Sequence, residues 1–69
     1  MAQKIFQKRN GGDKYLLTVK ANTGSIDVEY PVGASWVVAQ SIALDGAFEV
    51  AALSQVRITP VGDAEYAIQ

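Results

Sequence analysis

Tyr15-Leu16-Leu17-Thr18-Val19-Lys20-Ala21-Asn22-Thr23-Gly24-Ser25-Ile26-Asp27-Val28-Glu29-Tyr30 decides the fold of this chain. Two runs in which apolar and polar residues alternate flank Asn22-Thr23-Gly24-Ser25, four turn-forming residues in a row. A period of two places successive side chains on opposite faces of a strand, so each run reads as a strand with one buried face. The first run predicts Tyr15, Leu17, Val19 and Ala21 inward, with Leu16, Thr18 and Lys20 outward. The second predicts Ile26, Val28 and Tyr30 inward and leaves Asp27 and Glu29 in water.

The same grammar extends along the rest of the chain. Turn signals recur at Asn10-Gly11-Gly12-Asp13, Pro31-Val32-Gly33-Ala34-Ser35, Asp45-Gly46 and Pro60-Val61-Gly62-Asp63. Between them, Ala47–Ala51 puts Phe48 and Val50 on one face with Glu49 opposite. Gln55–Thr59 turns Val56 and Ile58 in and Arg57 and Thr59 out, and Ala64–Ile68 turns Ala64, Tyr66 and Ile68 in and Glu65 out. Trp36–Leu44 is apolar on both parities, which predicts a strand covered on both sides. Gln3–Lys8 has only Ile5 and Phe6 to bury and reads as a short edge strand or an arm that orders on a partner. A helix over Ala43–Leu53 competes, because Leu44, Phe48 and Ala51 fall near helical spacing. Against it, Asp45-Gly46 is a favoured two-residue hairpin turn and Gly costs about 1 kcal/mol inside a helix. The expected fold is all-β: a compact antiparallel β-sandwich or flattened barrel of six to seven short strands with meander character. Residues 1–9 form an arm or edge strand and 10–69 a single β domain.

Composition narrows the function. The 69 residues suffice for one domain, and 49% hydrophobic with 19% charged residues is a folding composition rather than a disordered one. Cys and His are absent, which removes disulfides, thiolate and imidazole metal ligands, Cys nucleophiles and His-based general bases. Ser25, Ser35, Ser41 and Ser54 therefore lack a His partner, and no Ser-x-x-Lys spacing supplies a lysine base. Gly11-Gly12 lacks the Gly-Lys-Ser/Thr ending of a phosphate loop and reads as a hairpin turn. Asp27 and Glu29, roughly 7 Å apart by strand geometry, could join Asp45 or Asp63 around Ca²⁺, but no EF-hand loop is present and a soluble strand face explains them as well. The expectation is a protein without enzymatic activity or cofactor.

Charge is split along the chain. Residues 1–20 carry Lys4, Lys8, Arg9, Lys14 and Lys20 against Asp13, a net +4, and residues 21–69 carry Arg57 against six acids, a net −5. Five cations spread over twenty residues give a weak nucleic-acid footprint; solvated charges on strand faces and turns explain them better, and an arm that docks on an acidic neighbouring subunit lies between the two. No apolar stretch reaches the length of a membrane span, since Pro31–Leu44 is broken by Gly33, Ser35, Gln40 and Ser41. Met1–Lys8 lacks the apolar region of a signal peptide, so synthesis in a cytoplasm, from a natural Met1-Ala2 start, is expected. A chain this short buries roughly 60% of its unfolded surface, which leaves ~3–5 kcal/mol of net stability and favours help from other chains. Tyr15, Tyr30, Phe48 and Tyr66 are expected in the core, while Trp36, next to a turn, is open as core residue, interface anchor or ligand platform.

From Ile26 onward the strands fall into a familiar order. Ile26-Asp27-Val28-Glu29-Tyr30 leads into Ser35-Trp36-Val37-Val38-Ala39, then Leu44-Asp45-Gly46-Ala47-Phe48-Glu49-Val50, then Gln55-Val56-Arg57-Ile58-Thr59-Pro60-Val61-Gly62-Asp63-Ala64-Glu65-Tyr66. This resembles the small β-sandwich proteins of tailed-phage virions, over residues 26–66. The resemblance implies a non-enzymatic virion component made in a host bacterial cytoplasm, most often a capsid decoration or cement protein bound as a trimer at junctions of the major capsid protein. Related domains occur in tail and fibre proteins, which makes a structural or receptor-binding tail module the alternative. On this reading Lys4, Ile5, Phe6, Lys8 and Arg9 grip the shell, while Trp36, Val37, Ala39 and Leu53 meet sister subunits. Two other classes remain as rivals, a carbohydrate-binding module and a small nucleic-acid-binding barrel.

Overall fold

The computed structural model describes residues 3–8, 14–52 and 54–69. They form seven strands, β1 (Lys4–Gln7), β2 (Lys14–Lys20), β3 (Ser25–Val32), β4 (Ser35–Ile42), β5 (Gly46–Ala51), β6 (Gln55–Val61) and β7 (Glu65–Ile68). These make two antiparallel sheets, one ordered β1-β6-β3-β4 and the other β5-β2-β7, which pack as a small β-sandwich. The competing helix over Ala43–Leu53 is replaced by β5. The Asn10–Asp13 turn lies outside the described residues.

The alternation reads out as burial. Leu17, Val19 and Ala21 from β2 and the residue after it meet Ile26, Val28, Val56 and Ile58 from the larger sheet, with Val50, Ala52, Ile42 and Ala64 closing the core. Phe6, Tyr15, Tyr30, Phe48, Tyr66 and Ile68 pack around its margin. Tyr30 crosses the gap between the sheets to donate its hydroxyl to the Ala51 carbonyl at 2.6 Å. Burial of the Tyr30 phenol raises its pKa above the ordinary tyrosine value.

The meander does not form. Only β3 and β4 pair as consecutive strands; every other pairing joins strands distant in the chain. Turn chemistry marks where the backbone bends and says nothing about which strand receives it afterwards. Asp45-Gly46 accordingly is not the tip of a hairpin but part of the passage from β4 in one sheet to β5 in the other. The Asp45 carboxylate accepts the Ala21 N–H at 2.8 Å and so ties this passage to the end of β2.

Asn22-Thr23-Gly24 also carries the chain between sheets, and it does so beside a second passage. β2 pairs with β7 and β3 pairs with β6, with Lys20 opposite Glu65 and Ser25 opposite Val61. The two connections thus form one corner of a bent two-stranded ribbon that runs from sheet to sheet. At this corner Asp63 accepts the Thr23 N–H and the Thr23 hydroxyl, each at 2.9 Å, and Asn22 donates its side-chain amide to the Asp63 carbonyl at 2.8 Å. Asn22 holds a left-handed φ of 54°, a conformation Asn tolerates. Gly24 lies against backbone: a Cβ there would fall 1.9 Å from the Val61 carbonyl oxygen.

Two sequence expectations are overturned. Glu29, assigned to water, is only 7% exposed. Trp36–Leu44, assigned to a strand covered on both sides, instead supplies β4, a sheet edge whose residues are mostly exposed. An apolar strand covered on both faces needs a layer on each side, and the facing sheet has only three strands against four here. Only Ile42 of β4 is buried, and Val37, Val38 and Ala39 are left exposed.

Candidate protein-interaction surface

Cross-strand register assembles the outer face of the larger sheet. Ile5 of β1 stands opposite Arg57 of β6, Arg57 opposite Glu29 of β3, and Glu29 opposite Val38 of β4, so these four form a row across all four strands. Beside it, Thr59, Asp27 and Ser41 form a second row, and Pro31 faces Trp36. The β3–β4 register shifts between Val28 and Glu29, which leaves Ala39 as the extra residue of β4.

Glu29 is buried on a sheet face with no second layer over it because its neighbours fold across it. Arg57 donates from Nε to Oε2 at 2.9 Å and from Nη2 to Oε1 at 2.8 Å, a two-pronged pairing that matches the planar guanidinium to the carboxylate. Thr59 donates its hydroxyl to the same Oε2. The guanidinium also lies over the Trp36 ring, with the Arg57 Cζ 4.7 Å from the ring centroid. The bond from Arg57, with the Thr59 hydroxyl adding to it and burial opposing, holds the Glu29 carboxyl below its ordinary value, and the same bond raises Arg57.

The chemistry of this cluster is structural. The guanidinium, the carboxylate and the hydroxyl are engaged with one another, which gives the face a rigid centre ringed by apolar groups. Three other acids are also engaged: Asp27 accepts from the Ser41 hydroxyl at 2.8 Å, Asp45 from the Ala21 N–H, and Asp63 from Thr23. The Ca²⁺ grouping of Asp27 and Glu29 with Asp45 or Asp63 does not assemble, and among the described residues no three acidic side chains converge.

An acid titration follows from these pairings. A carboxyl whose folded pKa is depressed adds stability that is fully present above its unfolded value and is lost as pH falls through the folded one. Glu29 and Asp63 both lie below their ordinary values of 4.5 and 3.8, Asp63 chiefly through the Thr23 hydroxyl bond. The melting temperature is expected to drop as pH falls below 4.5. Glu29→Gln should reduce stability near neutrality by about 1–3 kcal/mol for lost charge-assisted hydrogen bonds, and flatten the acid limb. An unchanged acid limb in E29Q and D63N, followed by circular dichroism, would remove both pairs from the account.

Those residues singled out in the sequence that the structure describes fall at two separate edges of one sheet. Lys4 and Ile5 are exposed on β1, Ile5 at 47%, and Lys8 just beyond it is exposed while its N–H bonds the Ser54 carbonyl at 3.0 Å. Phe6 turns to the core, its ring centroid 5.6 Å from that of Tyr15. Arg9 and Leu53 lie outside the described residues. Trp36 is half-buried on Arg57, Ala39 is exposed at the bulge, and Val37 is exposed on the opposite face of β4 because it pairs with Tyr30. Trp36 and Val37 therefore do not share a face, although they share an edge. Sequence reasoning missed Glu29, Arg57, Thr59 and Val38 as members of this surface. Only the opposite charges at outward positions of two strands hinted at the ion pair, and nothing in spacing shows that β3 and β6 adjoin.

The β4 edge differs from the other three. Its free side belongs to a strand of eight residues with no charged side chain, Ser35-Trp36-Val37-Val38-Ala39-Gln40-Ser41-Ile42, in which Val37 and Val38 are each 50% exposed on opposite faces. β1 carries Lys4, β5 carries Glu49 and β7 carries Glu65. No protein-family model, curated protein or solved structure matches the chain.

Proposed function

We propose that this is a non-enzymatic structural protein that acts by joining other subunits, in the manner of a capsid decoration or cement protein of a tailed-phage virion. The observation that carries this reading is the outer face and free edge of the larger sheet, where Ile5 and Val38 are exposed beside a polar centre already satisfied from within and Val37 is exposed on the reverse of the same edge. Exposed apolar edges are a hazard on a protein alone and a means of attachment on one that is covered by neighbours. The virion assignment itself rests on the resemblance over residues 26–66. A tail or fibre location would use the same surfaces. A carbohydrate platform is less well supported, since Trp36 is the aromatic on this outer face and its ring already stacks on Arg57.

On this reading the basic β1 edge engages the shell. Deleting residues 1–9 is a poor test, because β1 pairs with β6 from Lys4 to Gln7, Phe6 packs at the core margin, and Tyr15 donates to the Gln7 carbonyl at 2.5 Å. The triple variant Lys4→Glu, Ile5→Asp, Lys8→Glu leaves Phe6 in place. It is expected to lose at least about tenfold in co-sedimentation with capsid shells, as for removal of about 1.4 kcal/mol or more of contact energy, with a retained β-sheet spectrum. Full shell occupancy by a folded triple variant would refute attachment through β1.

A further inference from the structure

We infer that the β4 edge is the docking site for a second copy of this chain, joined by antiparallel pairing of β4 with its two-fold mate into one continuous eight-stranded sheet. The inference deepens the assembly reading above and names the contact through which copies meet.

Self-pairing across a two-fold axis sets a stringent charge condition, because every residue of the strand meets residues of an identical strand. Like charges brought opposite one another across a strand pair are destabilising. At β1 any register centred on Lys4 would set it against its own copy, as would one centred on Glu49 at β5 or on Glu65 at β7, so charge limits the registers open to these edges. β4 meets no such penalty in any register, because the chain carries no charge from Pro31 to Leu44. It also has the length, eight residues against four in β1 and β7 and six in β5. An uncharged, exposed edge is an invitation to pairing, whereas a charge on a short edge discourages it.

The pairing also closes on itself. Once β4 is used on both copies, the extended sheet ends in β1 at either side, short and marked by Lys4. Assembly through this contact stops at two copies rather than continuing as a fibre. Val38 and Trp36 of both copies come onto one outer surface, and Val37 of each is covered from the side that the three-stranded sheet leaves open. The Ala39 bulge interrupts the ladder once, so the pairing falls into segments on either side of it. This two-fold contact differs from the three-fold arrangement that the resemblance implies.

Sedimentation equilibrium at high micromolar concentration tests it. The wild-type chain is expected at twice the 7.4 kDa of one copy. Val37→Lys and Val38→Lys each place a charge on one face of β4 at a half-exposed position, and both are expected to halve the mass while keeping the β-sheet spectrum. Ile5→Lys, on the opposite edge, should leave the mass doubled. A monomeric or trimeric wild type, or dissociation by Ile5→Lys but not by the β4 variants, would overturn the pairing. A monomer that still co-sediments with shells would overturn this contact and leave the assembly reading standing. A dimer that binds no shell would support the contact and count against that reading.

Discussion

Gly24→Ala is expected to leave the protein unfolded under conditions where the wild type folds. The new methyl carbon would fall 1.9 Å from the Val61 carbonyl oxygen, 3.0 Å from the Val61 carbonyl carbon and 3.2 Å from the Ala64 nitrogen. All three are backbone atoms, so no side chain can swing aside to make room. Relief requires the two arms of the ribbon corner to separate, which would pull the Thr23 donors from Asp63. Overpacking that displaces backbone costs about 4 kcal/mol or more in the severe cases, against the ~3–5 kcal/mol that a domain of this size holds in reserve. Gly62→Ala provides the comparison. Gly62 has a φ of 69°, and a Cβ there meets only the Gly24 Cα at 3.3 Å. A left-handed conformation costs a side-chain-bearing residue about 1–2 kcal/mol, so G62A should melt at a lower temperature but still fold. Equal melting temperatures for G24A and wild type would show that the corner is not closed as described.

Leu17→Ala is the second large effect. Leu17 is completely buried and sits on β2, the central strand of the smaller sheet, opposite Phe48 on one side and Ile68 on the other. It has few ways to collapse the space it would leave, because Ile26, Val28, Val56 and Ile58 are held in place by the facing sheet. Truncating a buried leucine costs about 2–5 kcal/mol, which is most or all of the margin of such a small core. Denaturant unfolding should show a midpoint shifted by at least half toward zero, with the slope unchanged for a two-state transition. Copies that pair would also make the midpoint rise with protein concentration. A shift of less than about 1 kcal/mol would mean that the sandwich is packed more loosely than its burial implies.

The strands were legible because their interior faces are written in a period of two. Val19, Ile26, Val28, Val56 and Ile58 alternate with polar neighbours, Leu17 follows the exposed Leu16 in the same rhythm, and all six are buried. Sheet membership was not legible, because turn residues such as Asn22-Thr23-Gly24 and Asp45-Gly46 serve equally as hairpin tips and as passages between layers. Glu29 misled for a related reason. Its position in the alternation is outward, and it is outward, yet Arg57 and Thr59 of β6 bond to it and Trp36 of β4 stacks on Arg57. A partner 28 residues away leaves no trace in local pattern. In β4 the apolar character on both parities was read as two covering layers, when the structure shows an edge strand of which Ile42 alone is buried.

The ribbon corner also shapes how the chain reaches this state. Its halves, Asn22–Gly24 and Gly62–Asp63, are some forty residues apart, as the Thr23–Asp63 bonds measure. During synthesis only the β3–β4 hairpin can form from neighbouring segments; β2 must wait for β5 and then β7, and the second side of β3 for β6, to emerge from the ribosome. Topologies dominated by such distant pairings close in about milliseconds to seconds rather than microseconds. For that interval the nascent polypeptide carries its stickiest strand unshielded, and chaperone capture or premature contact between growing chains would act there first.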